Sequence, residues 1–182
     1  MDYGQPINVT RDVEAVEIPA GYRGVLPQGK SVRIVQSLGG DYTVITDEGH
    51  MLRIAGQDAD AIGFTPTAPP ASVAAGSDGF NPEHIWEQLR LVYDPEIPVN
   101  VVDLGLIYGV DVAQEENGKH RVDIKMTMTA PGCGMSDILK TDAHNKVAML
   151  PTVSEVNVDI VFDPPWTPDR MSEAAKLKLG WM

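Results

Sequence analysis

"RVDIKMTMTAPGCGMSD", Arg121 to Asp137, decides how this 182-residue chain folds, because its periodicity changes halfway along. From Arg121 to Thr129, Val122, Ile124, Met126 and Met128 alternate with Asp123, Lys125, Thr127 and Thr129. Such period-two alternation predicts a strand with one buried face. Beyond Pro131-Gly132-Cys133-Gly134, apolar residues fall at Met135, Ile138, Leu139, Ala143, Val147 and Leu150. Spacings of three and four predict a helix from about Met135 to Leu150, which Pro151 ends. The stretch is thus a strand, a glycine-rich loop and a helix, and the loop carries the chain's one cysteine.

Downstream, Val153 to Phe162 (VSEVNVDIVF) alternates again and reads as a strand. The chain then runs through a proline-rich loop and a short helix from about Ser172 to Leu179, with Gly180 as its cap. Upstream, Leu106 to Val112 reads as a strand, joined to Arg121–Thr129 by a Glu115-Glu116-Asn117-Gly118 hairpin loop. Before it, Asn81 and Pro82 open a helix whose face is Ile85, Trp86, Leu89 and Val92. The order is α-β-β-α-β-α, an open sheet covered by helices over residues 80–182, of α+β class.

Residues 65–79, TPTAPPASVAAGSDG, have almost no large apolar side chain and read as a linker. Residues 1–64 read as a small all-β module, a barrel or sandwich. Its strands are Val13 to Ile18, Ser31 to Leu38, Tyr42 to Thr46 and His50 to Ile54, with turns at Gly39-Gly40 and Asp47-Glu48-Gly49. No helical pattern occurs there, and no catalytic grouping of titratable residues.

The formal net charge of -12 argues against nucleic acid and anionic membrane surfaces as partners. No run of about 18 apolar residues would span a bilayer, and the first residues do not read as a secretory signal. A single cysteine cannot form an internal disulfide, so a cytoplasmic location is expected.

At Cys133, flanking glycines allow a nest of backbone N–H groups, and the following helix start adds partial positive charge. Both favour thiolate over thiol. The competing reading is a small apolar filler without chemistry. A thiol hydrolase would need an oriented base, and His50, His84, His120 and His144 each read as surface residues. A resident metal centre would need about four ligands, so one thiolate suits an open, transient site. A second constellation lies in Tyr93 to Val110. There Asp94, Glu96 and Asp103 cluster around Pro95 and Pro98 and read either as metal or acid–base groups or as turn-forming caps. In Asp163 to Thr167, Trp166 reads as packing or as an anchor for a partner.

Three segments together, "DPEIPVNVVDLGLIY" (Asp94 to Tyr108), "MTMTAPGCGMSD" (Met126 to Asp137) and "VDIVFDPPWTPDRMS" (Val158 to Ser172), resemble the PaaD/SufT family of iron–sulfur cluster assembly factors. In the first half, "VTRDVEAVEIP", "IVQSLGGDYTV" and "GQDADAIGF" resemble the amino-terminal extension of long-form members. The resemblance implies a non-enzymatic factor that matures client proteins together with iron–sulfur assembly proteins. It makes Cys133 the functional thiolate, supported by Thr129, Pro131, Gly132 and Gly134. It maps an acidic motif onto Asp94, Pro95, Glu96 and Asp103 and a family tryptophan onto Trp166, which with Pro164 and Pro165 is expected to form a partner-facing wall. The implied cofactor is a transient cluster or iron, and a homodimer would supply two thiolates. A second cysteine of the long forms falls where this chain has Val13, and a late arginine where it has Lys176. The alternatives are an adaptor that binds no metal and a thiol-dependent enzyme.

Overall fold

Residues 5–18, 20–66, 79–94, 97–130 and 136–181 are described by the computed structural model. Two compact units divide the chain, residues 1–68 and 69–182. Most of the expected linker, residues 67–78, lies outside the described residues.

In the first unit, β1 (Pro6–Asn8), β2 (Val13–Ile18), β3 (Arg23–Leu26), β4 (Ser31–Leu38), β5 (Asp41–Thr46) and β6 (Met51–Ile54) form one antiparallel sheet. The spatial order is β1-β4-β5-β6-β2-β3. Leu38 lies opposite Asp41, so the β4–β5 loop is Gly39-Gly40, with φ of 60° and 87°. A two-residue turn of this hand needs positive φ at both positions, which glycine adopts without steric cost. Alternation sends Val13, Ala15, Val32, Ile34, Val44 and Ile54 into the core.

Two strands escaped the sequence reading, β1 and β3, which span three and four residues. Runs that short hold too few alternations to stand out. A 3₁₀ turn at Gly56–Ile62, where no helix was expected, buries Ala59, Ala61 and Ile62. Arg11 clamps this turn, its Nη2 lying 2.8 Å from Asp58 and 2.7 Å from Asp60. The Arg11 hydrogen bond is the main cause that holds Asp60 below the usual carboxylate range. Its pKa is lower folded than unfolded. The stabilisation is therefore present above the ordinary aspartate value of about 3.9 and is lost as pH falls through the lowered one. Asp60→Asn is expected to cost this unit a little stability at pH 7, and the difference from the parent should close in acid. Thermal melts followed by the amide signals of β2 and β4 would check this.

In the second unit, α1 (Pro82–Leu89), β7 (Ile107–Gln114), β8 (His120–Met126), α2 (Ser136–Ala148), β9 (Val153–Ile160) and α3 (Glu173–Leu179) follow the expected α-β-β-α-β-α order. The sheet runs β7-β8-β9; β7 and β8 are antiparallel, and β8 and β9 are parallel, with α2 between them in sequence. The Asn81 side chain accepts from the Glu83 N–H at 3.0 Å, and Ser172 Oγ accepts from Ala175 N–H at 3.1 Å, so α1 and α3 start on capped turns. Ile85 and Leu89 of α1, Val122, Ile124 and Met126 of β8, Leu139 and Val147 of α2, and Val156 and Val158 of β9 meet in one core.

Among the boundaries that differ from expectation, three have a visible cause. α1 ends at Leu89, because the N–H groups of Leu91 and Val92 bond only three residues back, to Gln88 and Leu89. β8 ends at Met126, where the Thr127 N–H passes to the Leu106 carbonyl just ahead of β7. β9 ends at Ile160, and the Val161 N–H bonds Met126.

Candidate functional site

The chain between α1 and β7 builds a tight acidic loop. Asp94 Oδ1 accepts from the Ile97 N–H at 3.1 Å, a turn the side chain makes for its own backbone. Asn100, only 8% exposed, donates to Asp103 Oδ2 at 2.6 Å, and its Oδ1 accepts from the Asp103 N–H at 2.9 Å. Val99, Val101, Leu104 and Leu106 anchor the loop in the core. Glu96 lies outside the described residues. Asp94 thus makes a turn of the kind weighed above, whereas at Asp103 the turn is made by Asn100 and the carboxylate accepts from the Asn100 amide.

A strap from the other end of the chain lies on this loop. Trp166 packs against the core and its indole N–H donates to the Leu104 carbonyl at 2.8 Å. Tyr108 donates its hydroxyl to the Pro164 carbonyl at 2.8 Å, and the Arg170 guanidinium sits 4.1 Å from the centroid of the Tyr108 ring. The Ser172 N–H bonds the Asp103 carbonyl at 2.8 Å. Gly105, with φ of 70°, lies so close to Arg170 that a Cβ built there would be 2.3 Å from its carbonyl oxygen. Pro164 and Pro165 are exposed, and Trp166 is half-buried.

The approach to the cysteine loop is tied to the same place. The Thr127 N–H bonds the Leu106 carbonyl at 2.8 Å. Thr127 is 1% exposed, and among the described residues its hydroxyl has no hydrogen-bond partner. Thr129 is half-buried. Residues 131–135, with Pro131, Gly132, Cys133 and Gly134, lie outside the described residues; α2 resumes at Ser136. The end of β8, the end of the acidic loop and the strap therefore meet around Leu104 and Leu106.

Among the described residues, no three histidine, cysteine, aspartate or glutamate side chains gather as a metal site. No described helix is long and apolar enough to cross a membrane. His144 is exposed, and His120 stacks on Phe80 with centroids 3.8 Å apart. Sequence reasoning did not single out Asn100, Tyr108 or Arg170. For Asn100, the spacing Asn-x-x-Asp was a readable turn signal; the Tyr108–Arg170 contact has no local signature.

Replacing Trp166 by Phe keeps most of the ring and removes the bond to Leu104. The expected cost is about 1–2 kcal/mol, since a partly buried carbonyl loses its donor. Trp166→Ala should cost more, about 3 kcal/mol, by adding a packing defect. Urea unfolding of both variants would check the ranking.

A family model described as "iron-sulfur cluster assembly protein" matches residues 82–160. The chain is 48% identical over 100 residues to an "Fe-S protein maturation auxiliary factor" of Porphyromonas gingivalis, covering 55% of this chain and 91% of the relative. It is 43% identical over 98 residues to the "Fe-S protein maturation auxiliary factor YitW" of Bacillus subtilis, covering 54% of this chain and 92% of the relative. It is 40% identical over 90 residues to the "Fe-S protein maturation auxiliary factor SufT" of Staphylococcus aureus, covering 50% and 98%.

Proposed function

The chain belongs to the SufT/PaaD family of iron–sulfur cluster assembly proteins, and from that premise we propose that it assists the assembly of iron–sulfur clusters and their insertion into client proteins. The observation that carries this reading is the 48% identity along nearly the whole length of a relative named as a maturation auxiliary factor. The chain acts as a helper and not as a catalyst of its own reaction. Its partners are the assembly machinery and client apoproteins, in the cytoplasm.

Cys133 is the working group in this proposal. It stands three residues before Ser136, where α2 begins. Partial positive charge at a helix start favours a thiolate, and a thiolate can ligate iron or exchange with a client cysteine. The cluster or iron is cargo that passes through, held by Cys133 together with donors from a partner or a second copy. Thr129 supports the loop, Asp94, Glu96 and Asp103 shape the neighbouring acidic loop, and Pro164, Pro165 and Trp166 form the strap that partners meet. Residues 1–64 and 80–182 act as separate domains joined by 65–79; the two compact units, 1–68 and 69–182, support that division.

Deletion of the gene tests the proposal. The expected result is that iron–sulfur enzymes lose activity while their polypeptide levels hold, and that anaerobic addition of iron and sulfide to the purified extracts restores them. Client activities unchanged by the deletion would overturn it.

A further inference from the structure

We propose that the outer edge of β9 is a docking site for an extended partner segment carrying lysine or arginine at alternate positions, which adds to the sheet as a fourth strand. The inference does not depend on the function proposed above. Among the described residues, β9 is the last strand of the sheet, bonded to β8 on one side only. The Val161 N–H points at β8, bonding Met126. Backbone direction alternates along a strand, so the N–H and C=O groups of Val156 and Val158 face away from β8. Such an edge is a template for another chain.

Beside that edge runs a groove of about 520 Å³, lined on the α2 side by Asp137, Lys140, Thr141 and His144 and on the other by Val156 to Asp159. A second groove of about 360 Å³ continues it past His144 to Val153. The trough therefore follows most of β9, as a strand lying alongside would require.

Charge selects the occupant. On the face away from the helices, Glu155, Asn157 and Asp159 are exposed. Neighbouring cations on that face serve other carboxylates: Arg121 Nε lies 3.2 Å from Asp123, and Lys125 lies 3.5 Å from Asp111. Two copies of this chain paired antiparallel about Asn157 would set Glu155 against Asp159 twice. Like charges directly opposite each other destabilise a strand pair, which argues against self-association here. A segment with basic side chains on that face, spaced to meet two carboxylates about 13 Å apart, reverses the sign. Its intervening side chains enter the groove beside Thr141 and His144.

The test uses the full chain and a nine-residue peptide alternating lysine and valine, capped at both ends. One control has the same composition with lysines first and valines last; another alternates glutamate and valine. The alternating lysine peptide is expected to slow hydrogen exchange at the Val156 and Val158 amides. Its affinity should fall about tenfold in the Glu155→Lys/Asp159→Lys double variant, as two cross-strand attractions become repulsions. Val158→Pro removes one outward N–H at an edge where proline is tolerated, and should weaken binding with tryptophan fluorescence unchanged. If that variant misfolds, the charge reversal still decides. The proposal fails if those two amides are not protected. It fails equally if either control peptide protects them as well, or if protection rises with protein concentration in the absence of peptide.

Discussion

Gly105→Ala is expected to cost the second unit about 3 kcal/mol or more, and to lower its thermal midpoint by roughly 10 °C or more. Two effects combine. A left-handed backbone at φ of 70° penalises any Cβ by about 1 kcal/mol. The new methyl would also stand 2.3 Å from the Arg170 carbonyl oxygen and 2.7 Å from its carbonyl carbon, backbone atoms that cannot rotate aside. The loop and strap would have to part, which would disturb the Trp166–Leu104 and Ser172–Asp103 bonds. Gly118→Ala is the matched control. Its φ is 78°, but nothing lies within 4 Å of the built Cβ, so only the conformational cost of about 1 kcal/mol applies. All three tryptophans, Trp86, Trp166 and Trp181, lie in the second unit, so their fluorescence follows its unfolding alone. Equal destabilisation by the two substitutions would refute the close approach.

The second large effect is functional. Cys133→Ser is expected to leave the urea midpoint within experimental error of the parent and to reduce client iron–sulfur enzyme activity in a complemented deletion strain to the level of the empty strain. Serine matches cysteine in shape, but its hydroxyl stays protonated where a thiol at a helix start ionises, and it is a poor ligand for soft metals. Anaerobic incubation with iron and sulfide adds a second readout: a chromophore in the parent that is missing from the variant. Full complementation by the serine variant would support the adaptor alternative, in which the strap and acidic loop do the binding.

Where one face of an element is buried, its pattern was legible. Val122, Ile124 and Met126 alternate because β8 is the middle strand of a sheet with one covered face. Ile138, Leu139, Ala143 and Val147 keep helical spacing because α2 buries one side. Local chemistry was legible too: Asn81 and Gly180 stand where caps stand, and Asp94 forms the turn its neighbours suggested. Contacts between distant segments were not. Trp166 and Leu104 are 62 residues apart, and Tyr108 and Pro164 are 56 apart. No periodicity encodes such pairs, since each depends on where the sheet brings the two segments. Gly105 carries no local sign of its role, which is to let Arg170 come close. At the cysteine loop the motif was conspicuous, and the role of its side chain rests on chemistry and family membership.

The strap also sets an order on synthesis. Residues that finish the acidic loop arrive late, since Trp166, Arg170 and Ser172 follow its end at Leu106 by 60 positions or more. A chain is made from its amino end, and each portion folds as it emerges. On the ribosome, therefore, α1, β7 and β8 can assemble early, but the loop holds its final shape only once residues 164–172 have left the ribosome. A nascent copy therefore shows that surface in its final shape only after residues 164–172 have emerged.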